Sequence, residues 1–162
     1  EQGRYPIILD ASPCNAYLQD ALNALPHLRI YSPVAFVEHV LVPRLTFQPL
    51  DETVMLHVTC SSRKLGQDTA MQSLAERCAS RVIIPEHISC CGFAGDKGFV
   101  LPELNANALA PLKSQIPADC HQGYSDSRTC ELGLSMHSGI DYQSILFLVD
   151  RATVKPDCES AA

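Results

Sequence analysis

The sequence predicts an α/β fold: a layered, mostly parallel sheet flanked by helices. Two observations carry that expectation. Short apolar blocks rich in β-branched residues alternate with segments of helical periodicity, which is the pattern that builds parallel sheets. Most of these blocks also run straight into turn and helix-capping residues, as strands of such sheets do at their carboxyl ends.

Taken in order, residues 5–10 (Tyr5-Pro6-Ile7-Ile8-Leu9-Asp10) read as a buried strand with Cys14 in the loop that follows it. Residues 15–25 set Leu18, Ala21, Leu22 and Leu25 at helical spacing before Pro26, and 33–41 repeat the pattern with Val34, Val37, Val40 and Leu41. Residues 53–59 form a second β-rich block that ends in Thr59-Cys60-Ser61-Ser62, good residues for starting a helix. A helical stretch over 69–79 leads to a third strand at 81–85, which delivers Cys90-Cys91. Pro102 opens a helix through Lys113. Residues 120–125 suit a short strand or a loop, and 127–135 and 142–152 read as closing helices.

A chain of 162 residues allows one compact domain, expected over 1–153, with an aperiodic tail at 154–162. Twelve Lys and Arg against eighteen Asp and Glu give a charge of -6, so no positive field exists to hold nucleic acid. No apolar run approaches the ~18 residues of a transmembrane segment. The start at Glu1 has neither the basic opening nor the apolar stretch of a signal peptide, and the chain reads as a piece of a longer polypeptide.

Eight cysteines fall below the ~8–10% density of a disulfide scaffold, in a chain long enough to fold without staples. Metal or redox chemistry is the better reason for them. Cys14, Cys60, Cys90, Cys91 and Cys130 all stand beside turn chemistry. Neighbours such as Cys90 and Cys91 do not easily form an unstrained disulfide, and two adjacent thiolates suit a site with several metal atoms. Soft thiolates select iron-sulfur clusters, zinc or copper(I). Gly92 and Gly95 follow the pair and let backbone N–H groups turn inward against negative charge. The phosphate-binding orders G-x-x-x-x-G-K-[ST] and G-x-G-x-x-G are absent, as is the G-x-S-x-G of a serine hydrolase. Cys78 reads as core, Cys120 with His121 as a weak zinc pair, and Cys158 as a stray thiol. His57 reads either as a ligand or sulfur partner, or as a strand histidine satisfied by backbone.

His57-Val58-Thr59-Cys60, Cys90-Cys91-Gly92-Phe93-Ala94-Gly95, Pro102-Glu103-Leu104 and Ser127-Arg128-Thr129-Cys130 together resemble the cysteine-rich CCG domain. That domain occurs in heterodisulfide reductase, in the iron-sulfur subunits of glycolate oxidase and L-lactate utilisation enzymes, and at the carboxyl end of FAD-linked D-lactate dehydrogenases. The run on to Phe99, and the ending from Cys130 through Tyr142, are most similar to the FAD-linked D-lactate or D-2-hydroxyacid dehydrogenases. The likeness spans Ile7 to Thr153.

The family pattern is a lone cysteine, a CC pair and a C-x-x-C, occurring twice. Here the second copy is nearly whole, with Ser127 where the C-x-x-C has its first thiol, and Cys14 resembles the last cysteine of a first copy. The resemblance implies an iron-sulfur cluster of four-iron type held by Cys60, Cys90, Cys91 and Cys130, with Cys14 or a serine oxygen as a fifth ligand. It further implies FAD on an upstream domain of the same polypeptide, a quinone or cytochrome as electron acceptor, and a cytoplasmic location at the inner face of the membrane. The alternative is a docking module without electron transfer, stabilised by zinc on Cys60, Cys90 or Cys91, Cys130 and His57, or working by thiol redox chemistry.

Overall fold

The structure is a computed structural model and describes residues 3–154, without the side chains of residues 16, 19, 20, 22 and 23. It has the expected class, an α/β fold whose main sheet is parallel and flanked by helices. Four strands lie in the order β4-β3-β5-β6: β3 (Leu50–Leu56), β4 (Ala79–Ile83), β5 (Cys120–Ser125) and β6 (Asp141–Ser144). All three pairings are parallel, for example Met55 with Ile83 on one side and with Gly123 on the other.

After β3 come α3 (Cys60–Lys64) and α4 (Asp68–Cys78), leading to β4 at the sheet edge. The chain then passes through α5 (Lys97–Val100) and α6 (Pro102–Ala108) to β5, on the opposite side of β3. From there α7 (Arg128–Ser138) leads to β6, and α8 (Ile145–Arg151) closes the chain. The strand order therefore reverses direction between β3 and β5. In such sheets, helices from the two strands pack on opposite faces and leave a crevice beyond their carboxyl ends.

Side-chain alternation along β3 assigns the two faces. Val54, Leu56 and Val58 pack with Met71, Leu74, Ala75 and Cys78 of α4 and with Ile145 and Leu148 of α8. Met55 faces the other way, into a second core with Cys91, Phe93, Leu109, Leu112, Cys130, Leu134 and Tyr142. Cys78 is a core residue, as its helical spacing implied.

The amino-terminal expectation needs correction. Only Ile7–Ile8 form β1, which pairs in parallel with β2 (Ile30–Tyr31) as a separate two-stranded sheet. Both isoleucines are 40% or more exposed, because no layer covers them. Cys14 is in the first turn of α1 (Ser12–Asn23) rather than in a loop. The helix expected over 33–41 is a short α2 (Pro33–Phe36), capped by Ser32 and continued by a π turn at Val37–Leu41. The helix beginning at Pro102 stops at Ala108. Residues 142–144, expected to open the last helix, belong to β6 instead, and that helix starts at Ile145 with the Ser144 hydroxyl accepting from the Leu146 amide. Cys158 lies outside the described residues.

Tyr142 lies flat across Gly123, where a Cβ would come within 2.5 Å of the ring. Gly123→Ala is therefore expected to destabilise the fold by about 1–3 kcal/mol. A lowered urea midpoint with an unchanged slope checks this.

Candidate functional site

Four cysteines far apart in sequence line one cavity of about 490 Å³ at the carboxyl ends of β3, β4 and β5: Cys60, Cys90, Cys91 and Cys130. This is the crevice between β3 and β5. Each thiol arrives by a different local device. Cys60 is the first residue of α3, and the Thr59 hydroxyl caps that helix by accepting from the Ser62 amide. Cys130 sits in the first turns of α7, reached directly from β5.

Cys90 and Cys91 ride on a loop whose backbone is unusual. Gly92 and Gly95 have φ of 72° and 76°, and Ala94 joins them at 49°. At Gly92 a Cβ would come within 2.5 Å of the Leu104 carbonyl oxygen, so only glycine lets the loop lie against α6. The Asn105 amide donates to the Cys91 carbonyl from that helix, and the Arg63 guanidinium donates to the Ser89 carbonyl at 2.9 Å from α3. Gly95 lines the cavity itself, whereas Gly92 acts behind it.

The thiols meet as pairs. The Cys91 and Cys130 sulfurs are 2.8 Å apart, in hydrogen-bond contact. The hydrogen bond from Cys130 brings the Cys91 thiol down to about 7, while the same bond, together with burial, pushes Cys130 up. Cys90 is raised by burial, with the neighbouring sulfurs of Cys60 and Cys91 adding to it. Exposure is graded: Cys60 is exposed, Cys90 intermediate, and Cys91 and Cys130 buried. Lys64 brings the cavity a positive charge, and Pro13 and Tyr17 of α1 complete one wall.

Among the described residues, no group of three or more His, Cys, Asp or Glu side chains stands close enough together to hold a metal ion. The seven described cysteines are all free. Cys14 is exposed on α1 and does not line the cavity, although its neighbour Pro13 does. His57 is also outside the lining. It is buried directly after β3, with Nδ1 3.2 Å from the Ser125 hydroxyl. Cys120 is buried in the second core.

A feature with no signal in sequence spacing lies behind the cavity. Ser12, Thr59, Ser61 and Ser62 are buried and hydrogen-bonded to one another, and Ser62 donates to the Asp126 carboxylate. Asp126 lines a neighbouring pocket with Asp10, Arg128, Glu131 and Asp150.

No protein-family model matches this chain, and neither a curated protein nor a solved structure matches it.

Burial and the positive charge of Arg63 lower His57 from its usual 6.5 to about 4. Above pH 6.5 neither the folded nor the unfolded chain protonates this ring. Between 6.5 and 4 only the unfolded chain does, so stability falls with pH, by about 3 kcal/mol across the window. In His57→Gln that share of the acid sensitivity is expected to vanish, as read from urea unfolding at pH 7 and pH 4.5.

Proposed function

We propose that this chain is a CCG-type iron-sulfur electron-transfer domain of an FAD-linked D-lactate or other D-2-hydroxyacid dehydrogenase. The supporting observation is the convergence of Cys60, Cys90, Cys91 and Cys130 on one cavity at the strand-order reversal. The donor set fits the group. Four soft thiolates suit iron with sulfide, and Cys91 and Cys130, whose sulfurs are 2.8 Å apart, would separate to reach different metal atoms of a cluster. When bound, the cluster would pass electrons singly from a reduced flavin, carried on an upstream domain, to a quinone or cytochrome.

The residues of the chain supply the rest. Cys60 and Cys90 hold the solvent side of the cavity, and Cys91 and Cys130 hold the buried side. Burial of that inner pair keeps water from the sulfurs, one of the main levers on the potential of such a centre. Lys64 offsets thiolate charge at the rim. The left-handed backbone at Gly92, Ala94 and Gly95 holds the pair-bearing loop against α6. Among the described residues no helix is long and apolar enough to cross a membrane, and the proposed location is the cytoplasm, peripheral to the inner membrane face.

Anaerobic reconstitution is expected to give a brown protein with about four iron and four sulfide per chain. Cys90→Ser combined with Cys91→Ser should abolish both colour and iron, while Cys78→Ser should keep them. Stoichiometric zinc without iron under the same conditions would overturn the relay in favour of a docking module.

A further inference from the structure

The cysteine cavity and the acidic pocket share a wall, and a continuous hydrogen-bonded chain runs through it. Ser61 lines the cavity, and its hydroxyl lies 3.1 Å from that of Thr59. The Thr59 hydroxyl donates to Ser62 at 3.0 Å, and Ser62 donates to Asp126 Oδ2. Ser12 braces the cavity end, 2.8 Å from Ser61 and 3.3 Å from Thr59. Asp126 lines the acidic pocket at the far end, and its Oδ1 is buried without a partner.

A helix cap needs only the Thr59 hydroxyl. It gives no reason for three further buried hydroxyls ending on a carboxyl group. Hydroxyls are rotatable dipoles, each able to donate and accept, and in a low-dielectric wall a charge at one end of such a chain is screened far less than in bulk water.

We propose that Asp126 is the protonation site that answers charge in the cysteine cavity. One negative charge added there is answered by one proton, passed from a hydronium ion of the solvent in the acidic pocket to the Asp126 carboxylate, while the Ser61, Thr59 and Ser62 hydroxyls reorient to carry the field. The O–H bond formed on Asp126 replaces the one broken on hydronium, which leaves as water. On the electron-relay reading, on which this role rests, the added charge is one electron from the reduced flavin, so electron and proton balance.

Burial already pushes the Asp126 carboxyl up, against the Ser62 and Thr59 hydroxyls that hold it down. The other charged groups facing the pocket are Asp10 before α1, Asp150 of α8, and Arg128 and Glu131 of α7, the last two paired at 3.2 Å. Arg128 and the acids set the starting level. The hydroxyl chain sets the response.

The test on the metal-free chain places a charge at the cavity wall by substitution, comparing Cys60→Asp with Cys60→Asn. The readout is the titration midpoint of the Asp126 carboxyl by carbon-13 NMR. It is expected to be higher in the aspartate variant by about half a pH unit or more. The difference should shrink with Ser62→Ala and return with Ser62→Thr, which a purely structural role would not produce. Equal midpoints, or a difference that ignores Ser62, would overturn the proposal. In reconstituted protein, Asp126→Asn should flatten the dependence of the midpoint potential on pH, and an unchanged dependence counts against it. If the chain takes up no iron, the relay reading fails, and the coupling stands or falls on the carboxyl titration.

Discussion

The seating of Gly92 against α6 is the constraint on which the candidate site depends. The glycine lies where any side chain would strike the Leu104 carbonyl, and Asn105 secures the next carbonyl back, that of Cys91. With the backbone fixed there, Cys91 turns inward to Cys130 and Cys90 outward towards Cys60. Adjacent residues in an extended segment point in opposite directions, so a CC pair can serve two walls of one cavity only if its loop is held this firmly. Gly133 of α7 approaches the Asn105 side chain as closely, so three segments lock at one point.

The two faces of the sheet carry different loads. The face covered by α4 and α8 is apolar packing from Val54 to Leu148, and it asks nothing of the residues except shape and burial. The opposite face packs just as tightly around Met55, Phe93 and Leu134, but its core runs into the cavity through Cys91 and Cys130. These two cysteines are core residues and site residues at once. Rigidity of the inner wall follows from that double role, and the outer wall, with exposed Cys60, is free of it.

Much of this could be read from the chain, for reasons that are local. The start of α3 was legible because capping chemistry is written in neighbouring residues, Thr59 and Ser62. The Cys90-Cys91-Gly92 segment was legible because a glycine after a thiol pair opens the left-handed backbone and the close approach that other residues avoid. The placing of Cys60 and the Cys90-Cys91 pair beyond strands of a parallel sheet followed from the pattern of blocks, whereas Cys130 joined them through the family resemblance and Cys14, placed with them, lies outside the cavity. What failed depended on neighbours. The Ile7-Ile8 block looks like core strand, yet burial is decided by what lies over it, and β1 pairs only with β2. Residues 141–144 have a single buried side chain, Tyr142, so their strand character comes from pairing with β5 rather than from pattern. The hydroxyl network ending on Asp126 joins positions 12, 59, 61, 62 and 126, a set with no periodicity to notice.

The gradient from exposed Cys60 to buried Cys130 gives the cavity a direction. Anything arriving from solvent meets the Cys60 sulfur first and the inner pair last. A bound body would thus be gripped most firmly at its deepest corner and surrendered first at the mouth, beside Lys64 and Tyr17. Damage by oxidants would begin at that same mouth and leave the floor intact longest.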